Sequence, residues 1–231
     1  MKHDPSTFPT DELVKQIQIL GKDDADFAYE AERLLFTRWG RGEDLRPLID
    51  LLTSERSSDR ILGAYYLDEI DGNVEDLKTP VMRLLDDPIP DCRRVFVLYM
   101  SRYYGEEIGK GFAKLLLDIN LCVRVTVIEW GIRTSARRFE HFSRLVEAGA
   151  GRRESAFLNP LDQDYWDESE LKRGIRGLNI IRRVRAGEEI SQIRDEIPEE
   201  DNFVFDSIEF LRTFRKRYEK WKETERRKTD S

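Results

Sequence analysis

The apolar positions of this chain fall into helix-like runs separated by short polar, Gly-containing or Pro-containing turns. "TDELVKQIQILGK" and "DADFAYEAERLLFTRW" predict a pair of helices with acidic caps, and "RRFEHFSRLVEAG" predicts a further helix ending at Gly149. "ESELKRGIRGLNIIRRVRAG" predicts another, with Gly187 as its stop signal. In "DNFVFDSIEFLRTFRKRYEKWKETERRK", Phe203, Phe210, Phe214 and Trp221 recur at intervals of seven, four and seven, one face of a last helix before a tail expected to fray. The stretch 148–168 is rich in Gly, Asp and polar residues without helical period and reads as a long loop, a kind of segment that is often functional.

The middle of the chain repeats. "LLTSERSSDRILGAYYLDEIDG", "LLDDPIPDCRRVFVLYMSRYYG" and "LLDINLCVRVTVIEWGIRT" align on Arg60, Arg93 and Arg124, which lie 33 and 31 positions apart. In each copy a Leu (Leu52, Leu85, Leu116) stands eight residues before the Arg, and an apolar run follows it. An apolar helix ending in a Leu pair therefore stops at a polar turn, at Pro88 and Pro90 in the second copy, because proline cannot continue a helix. The next helix starts near Asp59 or Asp91, where negative charge is favourable. Such a hairpin cannot bury its own apolar face, and stacked copies can.

This order of residues resembles the HEAT repeat family, whose units read as Leu-Leu, Asp-x-Pro, then Val-Arg and an Ala-rich second helix. Residues 84–94 carry the closest match, 112–133 are recognisable through "LLLDINLCVR", and 48–72 is the weakest copy, with "SSDR" and no Pro at its turn. The resemblance implies an all-α fold, a right-handed α-α superhelix or solenoid, with hairpins over 1–147 (the best repeats at about 45–140), the 148–168 loop, and helices in 169–231 capping the same solenoid. It also implies a structural ladder of Asp87 and Asp118 with Arg60, Arg93 and Arg124. The chain departs from the family at Tyr66, Phe96, Tyr99 and Trp130, large residues where small ones are expected, so packing is expected to be wider or part of that face exposed.

Charge changes the picture only locally. Of 231 residues, 37% are charged, 39% apolar and 10% aromatic, a foldable balance with heavily solvated faces. The net charge of −7 is unevenly spread: −8 over 1–80, +3 over 81–154 and −2 over 155–231. Overall acidity counts against unspecific polyanion binding, while the basic middle leaves room for a local anion site. No run of about 18 apolar residues occurs and "MKHDPSTFPTDEL" has no leader-like pattern, so no membrane contact and a cytoplasmic location are expected.

Candidate chemistry is sparse. Cys92 and Cys122 lack disulfide or metal spacing and read as small core residues. His3 and His141 are the only histidines, and His141 reads as a surface or packed residue on a helix. "GEEIGKG" (105–111) is one residue short of a phosphate loop and lacks the following Ser or Thr. The carboxylates at Asp68, Glu69, Asp71, Glu75 and Asp76 read as a solvated turn. No catalytic residue, metal site or cofactor is assigned, and the reading is non-enzymatic.

The repeat alignment instead points to a partner surface on the concave side of a solenoid. Five residues after the Arg stand Tyr65, Leu98 and Glu129, and nine after it stand Glu69, Arg102 and Arg133. Positions four apart share a helix face. With Arg94, these form a mixed amphipathic groove of the composition that supplies binding hot spots, suited to a protein partner, basic in character, in an adaptor, inhibitor or immunity-type role. The six-after column, Tyr66, Tyr99 and Trp130, is expected in the core. The alternative is a likeness to the HEAT-like alkylpurine DNA glycosylases, in which Arg94, Arg102, Arg124, Arg133, Arg137 and Arg138 would meet phosphates beside Trp130 and Glu129. The net acidity and the lack of a residue-by-residue match weigh against it. A likeness to HEAT-like bilin lyases rests on fold analogy alone. A monomer is compatible with all of these.

Overall fold

The computed structural model describes residues 4–20, 24–70, 74–149 and 163–194. Every regular element among them is helical: α1 (Thr10–Leu20), α2 (Ala25–Gly40), α3 (Arg46–Thr53), α4 (Ser57–Glu69), α5 (Lys78–Met82), α6 (Pro90–Met100), α7 (Glu106–Leu116), α8 (Leu121–Arg133), α9 (Ala136–Glu147), α10 (Gln163–Arg185) and α11 (Ile190–Arg194). Short 3-10 turns stand at Pro5–Thr7, Glu75–Leu77, Arg83–Asp86 and Ser101–Tyr103. The protein is thus all-α over these residues. No helix among them is long and apolar enough to cross a membrane. The aromatic face proposed for 201–228 lies outside the described residues.

The chain divides into two compact units, Met1–Ile108 and Gly109–Ser231. In the first, α1 packs on α2 and α3, α3 on α4, and α4 on α6. The start of α2 is set by Asp24, whose carboxylate accepts the Phe27 N–H at 3.0 Å. Four-residue spacing then puts Phe27, Ala31, Leu35 and Trp39 on one buried stripe. The helix closes as the Gly42 N–H bonds the Trp39 carbonyl and the Glu43 N–H the Arg38 carbonyl, both at 2.9 Å, with Gly42 at φ 76°. Gly187 (φ 86°) ends α10 by the same pair of bonds, and Gly149 (φ 78°) follows α9, so both predicted stop signals stand.

In the second unit α8 packs on α10, and α10 also meets α9 and α11. The Trp130 ring stands edge-on between Phe112 at 4.7 Å and Phe142 at 5.3 Å. A Cβ at Gly131 would stand 2.7 Å from Ile181 Cδ1, so the absence of a side chain is what lets α8 and α10 approach so closely.

The three aligned copies share one turn geometry. Arg60, Arg93 and Arg124 each donate Nη1–H to the carbonyl six residues earlier: Ser54 at 2.9 Å, Asp87 at 2.7 Å and Asp118 at 2.7 Å. The side chain at that same position accepts the backbone N–H two residues on: Ser54 from Arg56 at 3.2 Å, Asp87 from Ile89 at 2.9 Å and Asp118 from Asn120 at 2.8 Å. A polar side chain folds the turn and the Arg fastens it to the first turns of the next helix. Arg60 also pairs with Asp87 through Nε at 2.5 Å.

Several details differ from the expectation. Pro90 does not merely end a helix but opens α6, where its missing N–H costs nothing. Leu52 and Leu116 are fully buried, but in the second copy Leu84 takes the core place and Leu85 is half-buried. There α5 passes into the 3-10 turn Arg83–Asp86, whose tighter winding redirects the side chains. Tyr66, Phe96, Tyr99 and Trp130 are all buried, so the large residues are accommodated inside rather than exposed. Cys92 is buried as expected, but Cys122 is exposed. Cys92 stands one residue before its Arg and Cys122 two before, which turns Cys122 by about 100° round its helix and gives the core place to Val123. The 148–168 stretch is not loop throughout, because α10 begins at Gln163, and residues 150–162 lie outside the described part.

Candidate functional site

The α4 face of the first unit gathers the residues the sequence singled out. Ile61, Tyr65 and Glu69 follow one another at four-residue spacing along α4 and are all exposed, Tyr65 by 47%. On neighbouring α6, Arg94 and Leu98 are half-buried one turn apart. The Arg94 guanidinium bonds Asp68 at 3.3 Å, which fastens the two faces side by side. Asp68 and Glu69 are thus helical residues rather than members of a solvated turn, while Glu75 and Asp76 do stand in a turn and Asp71 lies outside the described residues. Arg102 is exposed beyond the end of α6, its guanidinium 5.2 Å from the centre of the Tyr99 ring.

Glu129 and Arg133 belong to the second unit. They form an i,i+4 pair on α8, with Arg133 Nη2 at 3.7 Å from the Glu129 carboxylate and its Nε bonded to the Glu129 carbonyl at 3.3 Å.

Around Tyr65 the structure adds residues that the repeat alignment missed. The Tyr66 ring is fully buried and packs against Tyr65 (5.5 Å between centres), Trp39 (5.4 Å) and Phe36 (6.0 Å). Phe36 lies on α2 one turn after Glu32, which is half-buried. Three groups here influence one another. Burial raises the Glu32 pKa, and the Glu69 carboxylate raises it further. Burial also raises the Tyr65 pKa, with the charges of Glu32 and Glu69 adding to it. The Tyr66 hydroxyl is pushed well above its usual range, first by burial, then by Glu32 and Tyr65. Among the described residues the Tyr66 hydroxyl has no hydrogen-bond partner. The sequence could place Tyr66 in the core but could not show an unmatched hydroxyl, and Glu32 lies outside every aligned copy.

Elsewhere in the first unit an open cleft of about 640 Å³ is lined by Asp11, Lys15, Asp44, Asp50, Arg56 and Asp59 among others. Among its charges Lys15 pairs with Asp11 at 3.5 Å and Arg56 with Asp59 at 2.8 Å. No group of three or more His, Cys, Asp or Glu among the described residues could hold a metal ion. "GEEIGKG" contributes the opening turns of α7.

No protein-family model matches this chain, and no curated protein is significantly similar to it. Over the described residues the protein is all-helical, and its first unit carries an acidic and aromatic helix face.

Proposed function

We propose that this chain is a non-enzymatic, HEAT-like solenoid module that binds a basic protein partner, in an adaptor, inhibitor or immunity-type role. The observation that carries the reading is the α4 face, where an exposed tyrosine and an exposed glutamate stand one turn apart next to a half-buried second glutamate. Exposed aromatic side chains flanked by charge are what protein interfaces use as anchors. The acidic first third, at −8 over residues 1–80, sets the sign of the partner.

Three of the six arginines that the glycosylase-like alternative would use are engaged within the chain. Arg94 is bonded to Asp68, Arg133 to Glu129, and Arg124 to the carbonyls of Asp118 and Ile119.

The test is affinity purification of the tagged chain from native lysate after nuclease treatment, repeated with Tyr65→Ala combined with Glu69→Arg. The expected result is a stoichiometric protein held by the parent chain and lost with the double variant at unchanged helical circular dichroism. Equal recovery with both chains, or recovery of nucleic acid alone before digestion, would refute the reading.

A further inference from the structure

We propose that the α4 face of the first unit seats one amphipathic helix of the partner, with its apolar stripe on Ile61 and Tyr65 and a lysine or arginine against Glu69. The inference rests on the partner-binding reading and names the element and the chemistry that the partner presents.

Of the six large apolar side chains that stand exposed among the described residues, only Ile61 and Tyr65, at 46% and 47%, lie one turn apart on a single helix. Singly exposed apolar residues are ordinary, whereas contiguous ones mark contact surfaces. Tyr65 is also braced as an anchor. Its ring stands 5.5 Å from that of buried Tyr66, which Trp39 at 5.4 Å and Phe36 at 6.0 Å hold in turn. A side chain supported in this way loses little freedom when a partner covers it.

The shape suits a helix. Every regular element among the described residues is helical, so the main chain of this face is bonded within α4 and offers an extended segment no row of open donors and acceptors. Side chains four residues apart form a ridge along α4, and α6 packs alongside, with Arg94 Nη2 at 3.3 Å from the Asp68 carboxylate. Ridges of one helix fit the grooves of another.

Charge decides what must flank the apolar stripe. Asp68 and Glu69 stand in the last turn of α4, which holds no basic residue, so two carboxylates meet the negative end of the helix dipole. Arg94 answers Asp68. Glu69 is exposed and has no ion pair or hydrogen bond among the described residues. A cation from outside the chain is what this end of α4 lacks, and a basic flank beside an apolar stripe supplies both contacts at once.

The test puts para-benzoylphenylalanine in place of Ile61, and separately of Tyr65, in the full chain, irradiates it in native lysate and maps the crosslinked partner segment by mass spectrometry. A synthetic peptide of that segment is then titrated against the full chain by NMR and circular dichroism. The expected result is one segment reached from both positions, with apolar residues at three- and four-residue spacing and a net positive charge. Its peptide should gain helix on binding and shift the amides of α4 and α6, and Glu69→Gln should weaken it several-fold and Glu69→Arg more, at unchanged helical content of the chain. No crosslink from either position, an acidic segment, a peptide that binds without gaining helix, or binding indifferent to Glu69→Arg would overturn the inference. If that happens while a partner is still captured from lysate and lost with the Tyr65→Ala and Glu69→Arg double variant, the helix falls and the partner-binding reading stands; if no partner is captured either, both fall.

Discussion

Arg60 Nε donates to Asp87 at 2.5 Å across 27 residues, joining the first turns of α4 to the turn before α6. The Asp87 side chain is 4% exposed and that of Arg60 15%, so the pair is screened from water. Asp87 also accepts the Ile89 N–H, and Arg60 also holds the carbonyls of Ser54 and Glu55. Removing one member of such a pair leaves the other charge buried without its partner. Asp87→Ala should therefore cost about 3–5 kcal/mol, read as a fall in the urea midpoint. Asp87→Asn, which keeps an acceptor for Ile89, should cost clearly less.

The second unit depends on Arg185 in a comparable way. Its Nη1 reaches the carbonyls of Gly131, Ile132 and Thr134 at 3.0, 3.1 and 2.8 Å, and its guanidinium lies 4.8 Å from the Phe139 ring centre. One side chain thus satisfies carbonyls at the C-terminal end of α8, which the helix itself cannot. Arg185→Ala should cost about 1.5–3 kcal/mol in thermal unfolding followed by circular dichroism. Arg185→Lys should recover only part of that, since an ammonium keeps the charge but not the fork.

Much of this architecture is legible from short-range pattern. The Arg turns, the glycine stops and the Asp24 cap need only neighbours within seven residues, so spacing alone reveals them. Their limits are equally physical. The stretch 148–168 looks like loop by composition, yet acidic residues such as Asp164 and Asp167 also suit a helix start, and α10 begins at Gln163. Of the candidate site, Tyr65, Glu69, Arg94 and Leu98 come from the repeat register and meet in one unit, whereas Glu129 and Arg133 share that register but belong to the other. Glu32 reaches the site only through the packing of α2, which no local pattern encodes.

The thiols should differ sharply. Burial pushes the Cys92 thiol up to about 11, with the Asp87 charge adding to the shift, and keeps it from reagents. Cys122 is exposed. Native protein should release one equivalent of thiolate from Ellman's reagent at pH 8, none after Cys122→Ser, and the Cys92 equivalent only after denaturation.

Glu32 sets a pH dependence. Its pKa is raised in the fold above the ordinary 4.5, so between those two values the folded chain holds the extra proton. Stability is greater below that window and falls as pH rises through it. Glu32→Gln removes the penalty: it should stabilise the chain slightly at pH 7, with the gain fading as the pH falls below the ordinary carboxylate range. Urea midpoints at pH 7 and below that range would show it.

The Tyr99 hydroxyl has a consequence of another kind. It donates to the Val74 carbonyl at 2.8 Å and accepts the Val74 N–H at 3.3 Å, holding both backbone groups of one residue from 25 positions away. A single phenol here does what a neighbouring strand does in a sheet. Val74 is therefore tied to the lifetime of α6. In hydrogen exchange the Val74 amide should report the opening of a helix that lies far along the chain.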